Sequence, residues 1–163
     1  MNKTKTVKTP CRNVTEFVRE NSNLVNVEEY KSSLGALLYI ALKSRPDISF
    51  AVNQASRNCE NPTEGDFRSL IYILQYLKGT NNKSIYYNKR NRFIGYSDSD
   101  FASDEKTRRS TSSFIFLLDD SPISWKSQQQ RCVTLSTAEA EFVSLTECAK
   151  QSIWFKNLYK EKK

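Results

Sequence analysis

Two segments of the chain carry carboxylates where they can do chemistry: Tyr96-Ser97-Asp98-Ser99-Asp100 and Ser136-Thr137-Ala138-Glu139-Ala140-Glu141-Phe142. Asp98 falls where an apolar strand ends, the usual place for a carboxylate to project from a rigid element into a site. A polar turn is the competing reading, since Asp and Ser are common turn residues. In the second segment, Ser136 or Thr137 can cap a helix whose first-turn acids complement its dipole, and that structural role is a strong one. Helical spacing also sets Glu141 in line with Leu145 and Cys148, a partly apolar row where a carboxylate is costly unless a cation meets it. A strand-end carboxylate and one on the following helix can converge on Mg²⁺, a hard ion that prefers oxygen ligands. Two-metal sites assist phosphodiester hydrolysis without a histidine. The chain has none, which excludes Ser-His-Asp triads and Cys-His pairs.

A formal charge of +7 favours polyanionic partners, nucleic acid first, because each phosphate neutralised releases counterions. A basic protein with no such partner is the alternative. The run Lys106-Thr107-Arg108-Arg109-Ser110-Thr111 pairs guanidinium forks with small hydroxyls, a combination suited to phosphate contacts as well as to a solvated loop. Lys126, Gln128, Gln129, Gln130 and Arg131 form a polar, basic stretch that can touch a nucleic-acid backbone. Trp125, Trp154 and Phe155 read as core. The cysteines at 11, 59, 132 and 148 form no Cys-x-x-Cys pair. Free thiols in a reducing, intracellular compartment are therefore expected, without a zinc site. No segment has the roughly 18 to 20 apolar residues of a membrane span, and the basic N-terminus has no apolar run behind it, so no secretory signal is expected.

Periodicity supplies the elements that must hold these residues. Residues 1–27 are polar and basic and read as a tail or linker. Glu28 to Leu42 is too continuously apolar for a strand and reads as a buried helix, ended at Ser44-Arg45-Pro46. Asp47 can cap a second helix carrying Ile48, Ala51, Val52 and Ala55. Thr63 can cap a third, with Asp66 in its first turn, an apolar row Phe67, Leu70, Ile71, Leu74 and Leu77, and Gly79 as its stop. After Asn81-Asn82 the character becomes β. Ser84–Tyr87 and Phe93–Tyr96 suggest a hairpin around the turn at 88–91; Ser113–Leu118, Ile123–Lys126 and Cys132–Leu135 continue the pattern. From Thr137 the period is helical again, and Ala138, Phe142, Leu145, Ala149 and Ile153 can share one stripe.

Six segments, in order, resemble the reverse transcriptase and ribonuclease H region of copia-type (Ty1-like) retrotransposon Pol polyproteins. They are Tyr30–Tyr39 with Ser44-Arg45-Pro46-Asp47-Ile48, Ile73–Thr80, Gly95–Asp100, Thr107–Ser112, Ile123–Ser127 and Leu135–Phe142. The resemblance implies an α+β chain with a basic tail (1–27), a helical end of the reverse transcriptase (28–82) and a partial ribonuclease H-like domain (83–163) of antiparallel strands plus one long helix. It also implies that Asp98 and Glu141, with Glu139 as competitor, are two ligands of a four-carboxylate Mg²⁺ or Mn²⁺ site. The other two lie beyond the first helix in the family. Phe101 stands where a tryptophan is usual, and Ser103 and Ser113 where glycines are.

The expected function is that of a polyprotein fragment whose parent enzyme cleaves the RNA strand of RNA–DNA hybrids, the fragment alone being inactive. Arg108, Arg109, Ser110 and Lys126 would meet the nucleic acid. The expected partners are the hybrid and the remainder of the Pol polyprotein, with no membrane and no small-molecule substrate. A non-catalytic nucleic-acid-binding module, or a domesticated scaffold or relic, is the alternative.

Overall fold

A computed structural model describes residues 5–11, 23–87 and 92–161. Among the described residues, four helices and a three-stranded antiparallel sheet make a mixed α+β protein. It divides into two compact units, Met1–Ser84 and Ile85–Lys163.

In the first unit, α1 spans Val27–Lys43. Asn26 caps it by accepting from the Glu28 and Glu29 amides at 2.9 and 3.2 Å, and both acids complement the helix N-terminus. Tyr30, Leu34, Leu37 and Ala41 form its buried row. A 3₁₀ turn at Pro46–Ile48 leads into α2, Ser49–Ser56. Asp47 lies inside that turn and caps nothing: its carboxylate is taken by Arg45 and by the Tyr76 hydroxyl. α3 spans Glu64–Gly79 and opens on a full capping box between Thr63 and Asp66. Its inward residues are Leu70, Ile73 and Tyr76, flanked by Phe67 and Leu77, while Ile71 and Leu74 are 40% and 49% exposed. The buried face is thus turned from the expected row, because α3 meets α1 and α2 through Ile73 and Tyr76.

In the second unit, β1 is Phe93–Asp100, β2 Thr111–Leu118, β3 Ser121–Gln129 and α4 Thr137–Glu161. The sheet order is β1-β2-β3. The expected hairpin is not the one formed: β1 pairs with β2, and 84–87 carries no strand. Instead the Ser121 hydroxyl donates to the Tyr86 carbonyl, and the Tyr87 hydroxyl to that of Pro122. The expected turn at 88–91 lies outside the described residues. Asp119 and Asp120 close the β2–β3 hairpin with φ of 51° and 66°, the left-handed pair that a two-residue turn demands and that Asp tolerates. Cys132–Leu135 is not a strand but the loop into α4.

Phe155 on α4 packs against Phe93 and Phe116 at centroid distances of 5.1 and 5.3 Å. Cys148 and Phe116 complete this core. The inward row of α4 is Ala140, Ser144, Cys148 and Phe155. The stripe Ala138, Phe142, Leu145, Ala149 and Ile153 does lie on one side, but it is the exposed side. Trp154 is also 54% exposed rather than core. Small inward residues let the helix axis come close to the sheet, whereas the bulky stripe could not.

Candidate functional site

α4 crosses β1 in the opposite direction and is fastened to it by small side chains. The Cys148 thiol points to the Tyr96 carbonyl at 3.9 Å, and the Ser144 hydroxyl lies 2.6 Å from the Asp98 carbonyl and 3.1 Å from that of Ser113. One helical turn before Ser144 stands Glu141, beside the C-terminal end of β1. Gln130, 3% exposed, braces the same helix end by donating to the Ala140 carbonyl at 3.0 Å and the Ser112 hydroxyl at 2.8 Å. Burial holds the Cys148 thiol above its ordinary pKa, so it stays neutral beneath the helix.

Glu139 and Glu141 are separated by their local bonding. Glu139 accepts from the Leu135 amide at 2.7 Å, and its own amide donates to the Ser136 hydroxyl at 3.1 Å, so it is spent on the helix cap. Glu141 is exposed, not held in an apolar row as its spacing suggested, because Leu145 faces outward with it. Glu147 leans the other way, toward β3, with Lys126 Nζ at 3.8 Å. Its carboxyl is held below the usual range, first by a hydrogen bond from Lys150. Glu141 therefore occupies the flank of α4 nearer the free edge of β1.

Asp98 is exposed as well. The β1–β2 register is unbroken, and Phe93 and Phe116 face α4, so alternation turns Asp98 onto the uncovered face of the sheet. The two carboxylates therefore leave this end of β1 on different sides, Asp98 on the uncovered face of the sheet and Glu141 on the helix side. Their oxygens are the right donors for Mg²⁺ or Mn²⁺, but two carboxylates fall short of a full ligand set. Among the described residues no three of His, Cys, Asp and Glu gather as metal ligands.

The basic loop that follows β1 lies at this same end of the sheet. Asp104 organises it: one carboxylate oxygen accepts from the Lys106 and Thr107 amides at 3.1 and 2.7 Å, the other from Gln129 Nε2 at 2.9 Å. The Arg108 amide returns to the Asp104 carbonyl at 2.8 Å, and Arg108 takes a φ of 56°. Arg108 and Arg109 are thereby exposed side by side. Ser110 is not with them. It is fully buried, and its hydroxyl joins the Ala102 amide and Thr134, with no access to a phosphate. Lys126 sits on the sheet face under α4, tethered by Glu147. Sequence reasoning missed Ser144 and Asp104, and it set Gln130 against a nucleic-acid backbone, whereas Gln130 is buried against the start of α4. Only Asp104 carries a local signal, an Asp followed two and three residues later by free amides.

The sequence matches one segment of mobile-element polyproteins. The chain is 38% identical over 145 residues, 88% of its length, to the retrovirus-related Pol polyprotein from transposon TNT 1-94 of Nicotiana tabacum. It is 39% identical over 142 residues, 86% of its length, to the one from transposon RE1 of Arabidopsis thaliana. It spans only 11% and 10% of these two proteins. It is also 35% identical over 127 residues to secreted RxLR effector protein 161 of Plasmopara viticola, of which it spans 89%. No family model and no solved structure matches. Among its homologues are retrovirus-related Pol polyproteins of copia-like transposons, of which it matches one segment.

Proposed function

We propose that residues 28–82 are the closing helices of a reverse transcriptase and that the second unit is the opening half of a ribonuclease H. In this reading Asp98 and Glu141 are two of the carboxylates that would hold the metal used to cut RNA in RNA–DNA hybrids. The single observation that carries it is the fastening of the Asp98 peptide to α4 through Ser144, one turn from Glu141. That bond fixes a strand-end carboxylate and a helix carboxylate to one rigid framework, as shared metal ligation requires. The diversion of Glu139 into the cap supports Glu141 as the ligand. Mg²⁺ or Mn²⁺, when bound, would supply a water activated for attack on the phosphodiester. The chain's own residues have narrower tasks. Asp98 and Glu141 bind, Ser144 and Gln130 keep strand and helix in register, and Arg108 and Arg109 hold backbone phosphates of the hybrid. With only part of the ligand set present, this chain alone does not turn over.

Mn²⁺ titration followed by electron paramagnetic resonance, beside a hybrid-cleavage assay, tests this. The expected result is weak Mn²⁺ binding that falls at least about tenfold in Asp98→Asn and in Glu141→Gln but not in Glu139→Gln, with no cleavage by the chain alone. Binding indifferent to both Asp98→Asn and Glu141→Gln would remove the metal reading. RNA-strand cleavage by the chain alone, abolished in Asp98→Asn, would overturn its inactivity.

A further inference from the structure

α1 and α3 of the first unit run in the same direction. Their starts are joined where the Glu64 amide donates to the Asn23 carbonyl and the Val25 amide to that of Pro62, both at 3.0 Å. Their ends are joined where Arg45 donates to the Thr80 hydroxyl at 2.6 Å and to its carbonyl at 3.3 Å. The two N-termini therefore share one end of the unit and the two C-termini the other. Acids complement helix starts and cations complement helix ends, and both helices follow that rule at once. Glu28, Glu29, Glu64 and Asp66 lie in the first turns, Lys43 and Lys78 in the last. The charges of the unit are thereby sorted toward opposite poles.

Residues 5–8, expected from the sequence to be part of a tail, add to the C-terminal pole. Val7 packs on the core of this unit. A Cβ placed on Gly79 would lie 3.1 Å from Thr6 Cβ and 3.7 Å from the Val7 carbonyl oxygen. Having no side chain, Gly79 lets this strap lie against the end of α3, with Lys5 and Lys8 exposed on it. Lys83 stands at the same end, 3.3 Å from the Tyr76 hydroxyl. Lys5, Lys8, Lys43, Arg45, Lys78 and Lys83 are thus gathered at one pole. Of the described acids in this unit only Asp47 stands with them, and Arg45 and the Tyr76 hydroxyl occupy it. At the opposite pole the cations are mixed with acids, and Arg68 lies 3.9 Å from Glu64.

We infer that this basic pole is a second nucleic-acid contact, which holds backbone phosphates in the first unit independently of Arg108 and Arg109. Its exposed cations are lysines, carried by the strap, the end of α1 and the end of α3. Point charges spread over three stretches fit a ladder of phosphates, whereas a single anion is better held by a guanidinium fork. The fork at this pole, Arg45, is spent on Asp47. Lysine contacts of this kind position a backbone and read no bases, so the ligand is nucleic acid irrespective of sequence. The inference shares its ligand class with the reading above but uses neither the proposed metal ligands nor the arginine loop.

Fluorescence anisotropy of the full chain with a short RNA–DNA hybrid, in EDTA so that no metal contributes, tests it. Lys5→Gln, Lys8→Gln and Lys83→Gln combined should weaken binding at least about tenfold and reduce the salt slope by about two to three. The same change at Lys150, Lys156 and Lys160 removes equal charge from α4 and should cost less than about threefold. The effect at the pole should persist with Arg108→Gln and Arg109→Gln in place, which separates it from failure of that proposed contact. A second arm needs no substitution: in lysine acetylation read by mass spectrometry, the hybrid should protect Lys5, Lys8, Lys43 and Lys83 more than Lys156 and Lys160. An unchanged slope, equal losses in the two triple variants, an effect that vanishes without the arginines, or no protection at the pole would overturn the inference. Binding to vesicles of phosphatidylserine and phosphatidylcholine through the same lysines, in place of the hybrid, would assign the pole to a membrane surface and overturn it equally.

Discussion

Gly95 and Ser144 show how single small residues set the strand–helix geometry of the second unit. A Cβ placed on Gly95 would meet the Phe116 ring at 2.6 Å, and Phe116, itself 2% exposed, is pinned by Phe93 and Phe155 and has little room to give. Gly95→Ala should therefore destabilise the second unit by about 1–3 kcal/mol, the usual cost of overpacking a filled core. A urea midpoint followed by Phe and Trp fluorescence would show it, and an unchanged midpoint would mean that the ring moves freely. Ser144 is the counterpart on the helix. Its hydroxyl serves two carbonyls at once, and any larger side chain there would lift α4 away from Asp98.

At the scale of elements, the first unit is held by a latch between the α1–α2 turn and the end of α3. Arg45 forks onto Asp47 at 2.9 and 2.8 Å and reaches the Thr80 hydroxyl at 2.6 Å, while the Tyr76 hydroxyl lies 2.7 Å from Asp47. Lys83 Nζ adds a contact to the same hydroxyl at 3.3 Å. Burial alone would raise the pKa of Asp47, but the hydrogen bonds from Arg45 and Tyr76, with the Arg45 charge, outweigh it and hold it below its ordinary value. A depressed acid contributes stability above its unfolded pKa, about 4, and loses it as pH falls through the lower folded value. Acidification from pH 6 to pH 3 should thus lower the urea midpoint of the first unit more in the unmodified chain than in Asp47→Asn. Equal losses would show that the latch is not linked to protonation. The exposed ion pair of Lys150 with Glu147, by contrast, should matter little on its own.

For the whole molecule, the surplus of positive charge and the paired Arg108 and Arg109 lead to a prediction about nucleic acid. Binding of an RNA–DNA hybrid should weaken steeply as salt rises, and removing both arginines should flatten that slope by about two phosphate contacts. Ser110→Ala should leave the slope untouched, because its hydroxyl is enclosed. Fluorescence anisotropy at several salt concentrations measures both, and affinity independent of salt would exclude phosphate contacts as the source of binding. No described helix is long and apolar enough to cross a membrane.

Much of this chain was legible one segment at a time. Pro46, the Thr63–Asp66 pair and the Asp119-Asp120 turn act within a few residues of themselves, so helix starts, stops and the β2–β3 turn follow from local chemistry. The position of Asp98 at a strand end and of Glu141 in the first turns of a helix is local in the same sense. Choices between equivalent faces were not legible. The outward stripe of α4 is more apolar than the inward row, and only the close approach of Ser144 and Cys148 to the β1 carbonyls decides which one meets the sheet. β1 likewise was expected to pair with 84–87 and pairs instead with β2, whose Phe116 joins Phe155 in a core. The roles of Glu139 and Glu141 were divided by the same packing: once α4 is set down on β1, Glu139 turns back to its own helix cap and Glu141 is left at the free edge. Contacts between residues far apart in the chain settle such choices, because they depend on shape and burial that no short window of sequence contains.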